Sequence, residues 1–339
     1  MSLLTDTPAW ESVRKGRRSK PDRIFLYAVE KFGKTSFAAG APKPIFLDFE
    51  DGTAEFDNVE SFDMRNATAD RIVETLDFIK SAPNGYQTVV IDTADAMELA
   101  IRNSIIKEAN VTTIEDVDGG YGKGYVRVSE AFARIFRHLN EMMDAGLSVI
   151  VLAHCGTANF DNPIGANFTR YEAKLEKRSR PIPKEWADVI LFGLFDDSVV
   201  NMDNKGLRGK AKGIGGKRRV LHTVRSAAWD AGNRYGLPAR LVLTDDPSES
   251  YGVYAKARAA GRESAENMMK QVDDLLSKIV DADERAAIKK WVEERKDNPK
   301  AVLAGLNRLR EKVEATVAAA DEKEPKAKKA AKAVAEVVS

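Results

Sequence analysis

Five short stretches of this 339-residue chain are apolar almost throughout: RIFLYA (23–28), PIFLDFE (44–50), YQTVVIDT (86–93), LSVIVLAH (147–154) and WADVILFGLF (186–195). A strand without polar alternation is buried on both faces, which is the situation in a parallel sheet layered between helices. The intervening segments carry helical periodicity, as in residues 67–82, where Ile72, Leu76 and Ile79 share a face, and residues 94–109. A longer amphipathic helix follows GGYGKGY (119–125), runs through Phe132, Ile135, Phe136, Leu139 and Met143, and closes near Gly146. RRVLHTVRS (218–226) and ARLVLT (239–244) supply two more strands. The pattern predicts an α/β fold with a mostly parallel sheet.

In such a sheet, ligands gather at the carboxyl ends of the strands, and the sequence concentrates its chemistry there. Residues 28–35 fit the phosphate-loop pattern G-x-x-x-x-G-K-[ST] at every position except the first, where Ala28 stands for glycine. The expected nucleotide contacts are Ala28, Lys31, Phe32, Gly33, Lys34, Thr35 and Ser36. Backbone N–H groups at the start of the following helix point at an anion, Lys34 reaches the β- and γ-phosphates, and Thr35 ligates Mg²⁺. A Cβ at position 28 is tolerated if its φ stays negative. KTSFAAGAP then allows about two helical turns before Gly40 and Pro42.

Asp92, closing VVIDT, is placed to hold the magnesium's water shell. Glu50, just past the second strand, is placed to orient and deprotonate the attacking water, with Asp48 the alternative. His154 ends the fourth strand, where an imidazole donor senses the terminal phosphate; His138 and His222 read as structural. The expected ligands are therefore ATP and Mg²⁺.

A net charge of +1 places no whole-molecule field on a polyanionic partner, so basic surfaces must be local. Two segments qualify. Between Asn204 and Arg219 there are seven cations (Lys205, Arg208, Lys210, Lys212, Lys217, Arg218, Arg219) and no acid. Residues 154–184 mix Arg170, Lys174, Lys177, Arg178 and Arg180 with Phe160, Phe168 and Tyr171, a combination suited to neutralising phosphates while bases stack. Both are read as loops that contact single-stranded DNA. With one cysteine, Cys155, and three histidines, neither a disulfide nor an ordinary structural zinc site is expected. The polar start lacks a signal-peptide-like run and no later run spans a membrane, so the expected location is cytoplasmic.

Taken together, IFLDFEDGT, VVIDT, GYGKGY, VIVLAH, RYEAKL, EWADVILFG and AAWDAGNRYGLP resemble phage-encoded RecA-like ATPases of the Sak-type single-strand annealing and recombination family. The resemblance covers roughly residues 22 to 245. It implies a RecA-like P-loop core, single-stranded DNA as partner, assembly with itself as a ring or filament, and a host-cytoplasm location, with a single-strand binding protein as a further candidate partner. It also implies that Glu50 is the catalytic glutamate and His154 the γ-phosphate sensor. Arg234, in NRYG, is then the finger inserted into a neighbour's site. Relatives often carry a lysine two residues before that arginine; here it is Gly232, which with Ala28 leaves the hydrolysis rate open. The expected organisation is a polar arm (1–21), the core (22–245), a helical region (246–318) of three helices and an Ala/Lys-rich tail (319–339).

Overall fold

A computed structural model describes residues 20–81, 85–196, 198–201, 211–214, 218–277, 282–295 and 305. The N-terminal arm, Lys205, Arg208, Lys210, Lys217 and the terminal tail lie outside these residues. So does the third expected C-terminal helix, apart from residue 305.

The strands are β1 (Arg23–Ala28), β2 (Pro44–Asp48), β3 (Glu60–Asp63), β4 (Thr88–Asp92), β5 (Ser148–Phe160), β6 (Phe168–Ala173), β7 (Val189–Phe195), β8 (Ser198–Asn201), β9 (Ala211–Ile214), β10 (Arg219–His222), β11 (Gly232–Asn233) and β12 (Arg240–Val242). The helices are α1 (Lys34–Ala39), α2 (Ala69–Ser81), α3 (Ala94–Glu108), α4 (Lys123–Asp144), α5 (Pro181–Trp186), α6 (Ser250–Ser277) and α7 (Ala282–Arg295). Hydrogen bonding orders the main sheet β12-β10-β7-β1-β5-β4-β2-β3, with β11 on β7 and β6 on β5; β8 and β9 pair separately. One strand, β5, thus separates the phosphate-loop strand from β4, and the fold is an α/β P-loop type with a mostly parallel sheet.

The chain forms two compact units. One comprises the chain up to Leu26, Ala41–Cys155 and Ala173–Ala187; the other comprises Tyr27–Gly40, Gly156–Glu172 and the chain from Asp188 onward. In the first, β3, β2, β4 and the start of β5 are parallel, with Asp48 level with Asp92 and Ile91 level with Val151. The side chains of β2, β4 and the start of β5 are nearly all buried because helices cover them: Ile72, Leu76 and Ile79 of α2, and Val128, Phe132, Ile135, Phe136 and Leu139 of α4. At the foot of α4 the Trp186 indole donates to Asn140 Oδ1 at 2.9 Å and meets Phe136 edge-on at 5.2 Å. The short β3, ESFD, is largely exposed and owes its strand geometry to pairing with β2, so it leaves no apolar run to read in the sequence.

In the second unit β10 lies antiparallel between β7 and β12. The segment after His154, expected as a loop, is instead a hairpin: β5 continues to Phe160 and β6 returns from Phe168, with the two rings 5.1 Å apart. Helix α6 begins at Ser250. Its first turn packs on the phosphate-loop helix, where Phe37 meets Tyr251 at 5.5 Å and Tyr254 at 6.0 Å. Gly261, which weakens the helical signal, is where the helix meets the backbone; a Cβ there would lie 2.4 Å from the Tyr235 carbonyl oxygen.

Tyr254 is buried against α1. Tyr254→Ala is therefore expected to cost about 3 kcal/mol, the lower range for deleting a large buried ring. Urea denaturation should show this as a lower midpoint with an unchanged slope.

Candidate functional site

In the second unit, β1 delivers the chain into a turn where Lys31 (φ 56°) and Gly33 (φ 93°) adopt left-handed geometry before α1 begins at Lys34. Gly33 is required twice over: its φ disfavours a side chain, and a Cβ would press to 3.0 Å on the Arg219 guanidinium. The Val29 amide donates to the Gly193 carbonyl at 3.2 Å, and the Gly33 carbonyl accepts from Phe37 N at 2.9 Å. Lys34 and Phe32 are buried, with Thr35 and Ser36 in the first turn of α1. The departure at Ala28 is accommodated across the sheet. A Cβ on Gly193 would sit 2.7 Å from both the Ala28 Cβ and the Phe32 ring, so the space a side chain would take at 193 is already occupied by Ala28 and Phe32.

Arg219 corrects its assignment as a DNA contact. It is 6% exposed, donating to Phe32 O (3.4 Å), Ser250 Oγ (3.3 Å) and Thr244 O (2.6 Å), and burial pushes its pKa down. A guanidinium spent on these groups braces the phosphate loop and cannot meet a nucleic-acid backbone. Arg170 is corrected for the same reason: it is 4% exposed, forms ion pairs with Glu172 (3.1 Å) and Asp230, and lies 5.2 Å from the centre of the Phe160 ring. Arg218 is exposed, and only the backbone of Lys212, in β9, is described. Arg234 is 64% exposed, with one nitrogen 3.2 Å from Asp188 Oδ1. Its turn is fixed by Asn233, whose Oδ1 accepts from Tyr235 N and Leu237 N.

In the first unit, β2 and β4 end side by side in Asp48 and Asp92, each 3% exposed. Asp48 is fully engaged in its own turn. Oδ1 accepts from Glu50 N (3.0 Å) and Gly52 N (3.1 Å), and Oδ2 from Thr53 N (2.9 Å) and Thr53 Oγ1 (2.6 Å). Burial alone would raise its pKa, but these donors hold it below the usual carboxylate range. Asp48 thus shapes the turn from which Glu50 projects and is not itself positioned as a base. Glu50 Oε2 accepts from Thr93 Oγ1 at 2.9 Å and lies 3.8 Å from His154 Nδ1.

His154 is held by a residue the sequence reading passed over. Asp95, in the first turn of α3, accepts from His154 N through Oδ1 and meets His154 Nδ1 through Oδ2, both at 2.9 Å. Burial would raise the Asp95 pKa, yet the two His154 hydrogen bonds hold it low. Only its spacing could have marked it, one helical turn beyond Asp92. A cavity of about 330 Å³ adjoins the group, lined by Glu50, Asp95, Glu98, Arg102, Tyr125 and Lys174. A larger cavity of about 550 Å³ on α2, α3 and α4 shares none of these residues. Lys174, Lys177 and Arg178 are exposed, and the Lys174 amide donates to the His154 carbonyl at 2.8 Å. Among the described residues, two groups have the spacing of cation ligands, Glu50–Asp95–His154 and Asp77–His138–Glu141, but in the second Glu141 is already paired with Lys80 at 2.6 Å.

Residues 20–235 match a sequence family described as an AAA domain. The SPbeta prophage-derived uncharacterized protein YorG of Bacillus subtilis (strain 168) is 27% identical over 157 residues, 45% of this chain and 46% of that protein. The chain thus spans about half the length of this curated relative. Among solved structures, the flagellar accessory protein FlaH from Methanocaldococcus jannaschii aligns with a TM-score of 0.34 and 9% identity, over 68% of this chain and 88% of that one.

Two substitutions test the local geometry. Gly193→Ala should cost about 1–3 kcal/mol by overpacking, and adding Ala28→Gly should recover part of it in thermal melts. Asp48→Asn should cost about 1–3 kcal/mol at neutral pH through lost hydrogen bonds. Because the folded pKa of Asp48 is depressed, its stabilisation is present above the unfolded value of about 3.9 and is lost as pH falls through the folded one. The gap between wild type and variant in urea titrations should therefore close below about pH 4.

Proposed function

The chain belongs to the AAA domain family, and from that premise we propose that it is an ATP- and Mg²⁺-dependent ATPase that binds single-stranded DNA and promotes annealing or strand exchange. The observation that carries the nucleotide reading is the phosphate loop: a buried strand, a left-handed turn braced by Arg219, and Lys34 and Thr35 opening the next helix. The residues fit the ligands they would take. A cluster of backbone N–H groups and a buried lysine suits phosphate oxygens, and a carboxylate as buried as Asp92 suits a cation's water shell. Magnesium, when bound, neutralises charge on the phosphate oxygens.

The chain's own residues then divide the work. Lys34 would hold phosphate oxygens, Thr35 would ligate the metal, and Asp92 would hold its water shell. Glu50, kept in place by the Thr93 hydroxyl, takes the proton of the attacking water. His154 reports the state of the terminal phosphate. Arg234, exposed on a turn made rigid by Asn233, is the group offered to a second copy, making turnover depend on self-assembly into a ring or filament.

The DNA reading rests on the resemblance to Sak-type proteins, on exposed Lys174, Lys177, Arg178 and Arg218, and on the aromatic pair of the β5–β6 hairpin. The Lys174 amide bonded to the His154 carbonyl supports coupling of nucleotide state to DNA contact. A nucleotide-gated annealing module with little turnover is the alternative, favoured by Ala28 and Gly232 standing where relatives carry glycine and lysine. A ring helicase motor ranks below both.

Phosphate release should be stimulated by single-stranded DNA and fall to background in Lys34→Ala. Glu50→Gln should lower release about 100-fold or more while trapping assemblies bound to ATP and DNA. Annealing with no phosphate release from wild type would select the gated module, and strand displacement on a forked duplex would bring back the helicase.

A further inference from the structure

We propose that the half-buried ring of Trp229, backed by His222 and Phe192, is a platform on which a base of single-stranded DNA stacks, with Arg225 beside it as a phosphate contact. The inference rests on the single-stranded-DNA reading and goes beyond it by naming where, in the second unit, a base is held.

Residues 218–240 carry five arginines against one acid, Asp230, and of the five only Arg219 is buried. Between β10 and β11 the chain makes a short loop that is bonded to itself. The Ser226 amide donates to the Trp229 carbonyl at 3.1 Å, and the Trp229 indole N–H donates to the Val224 carbonyl at 3.1 Å. The Tyr171 amide of β6 donates to the Ala228 carbonyl at 2.7 Å and ties the loop to the sheet. The indole is therefore held in one orientation before any ligand arrives, so binding need not pay to order it.

Behind the indole lies a group of rings. His222 stands 4.2 Å from it between centroids, and Phe192 stands 5.5 Å away with its plane only 25° off. Tyr171 meets the same Phe192 at 5.1 Å. Phe192 is fully buried, whereas Tyr171, His222 and Trp229 keep part of their surface in water. The indole has spent its single donor on Val224, so what it offers a ligand is π surface, which accepts any base and reads none. Ala227 and Ala228, just before it, add little bulk beside the ring.

Charge favours the same ligand. Arg225 is 72% exposed, with Nε 4.0 Å from Asp230 Oδ1, and the closer partner of Asp230 is the buried Arg170. Glu172 pairs with Arg170 at 3.1 Å, and Asp196 with Arg240 at 2.6 Å. The acids of this face are thus engaged by other arginines, and the Arg225 guanidinium faces solvent beside an aromatic surface. A cation next to a stacking ring suits a single strand, whose phosphates and bases it meets separately.

The test is binding of full-length wild type, Trp229→Ala, Trp229→Phe and Arg225→Ala to fluorescein-labelled oligothymidylate and to an abasic oligomer of the same length. Anisotropy is read across a salt series. Wild type should prefer the oligothymidylate by at least about 5-fold, the low end for one stacked base, and Trp229→Ala should lose most of that preference. Trp229→Phe, which keeps a ring, should retain most of it. Oligothymidylate should quench indole fluorescence in wild type and less so in Trp229→Phe. Arg225→Ala leaves the ring packing untouched and should reduce the slope of log affinity against log salt by about 0.7, the value of one phosphate contact on a single strand.

Equal binding of the two oligomers by wild type, or a base preference kept in full by Trp229→Ala, overturns the platform and leaves the DNA reading standing. An unchanged salt slope in Arg225→Ala overturns the phosphate contact. Loss of self-assembly by Trp229→Ala without DNA makes this face a contact between copies and overturns the proposal as well. If wild type binds neither oligomer, the DNA reading itself fails and the platform falls with it.

Discussion

Burial withdraws water from polar groups, and Asp48, Asp95 and Arg219 each recover that loss through hydrogen bonds the fold supplies. Asp48 is satisfied by four donors from its own turn, and Asp95 by the backbone and ring of a single histidine. Arg219 is satisfied by acceptors on three separate segments. Groups compensated so completely are fixed in place, because moving any of them would leave a buried partner unpaired at a cost of about 1–3 kcal/mol. The candidate site side chains project from that fixed frame. Glu50 leaves a turn that Asp48 shapes, and Lys34 follows a loop that Arg219 braces.

The same physics explains which parts of the structure were legible in the sequence. Burial on both faces writes itself as an apolar run, so β1, β2, β4, the start of β5 and β7 could be placed, and with them Lys34, Asp92, Glu50 and His154 at their ends. Edge and hairpin strands leave no such record. β3 is polar because one partner strand is all it has, and β6, paired only with β5, mixes charges with aromatics. In helix α6 the helical signal is weakened by Gly261, whose reason is a close approach to the Tyr235 carbonyl, which a local pattern cannot show.

Misreadings of single residues have a common origin. Counting cations along a segment gives charge density but not depth, so Arg170 and Arg219 looked like their solvated neighbours. Asp95 was missed for the converse reason: an acid in the first turn of a helix is ordinary, and only the fold brings it to His154. The Ala28 departure was visible from the start. Its counterpart, Gly193, lies 165 positions away and could be matched to it only in three dimensions.

The contact of Ser250 with Arg219, and of Tyr251 and Tyr254 with Phe37, gives the start of α6 a thermodynamic consequence. A ligand that tightens the phosphate loop also stabilises the register of α6 against α1, to whatever extent the two share one free-energy minimum. Linkage is symmetrical, so anything that grips α6 must return the same free energy to the loop. The start of α6 is therefore a handle on whatever the phosphate loop binds.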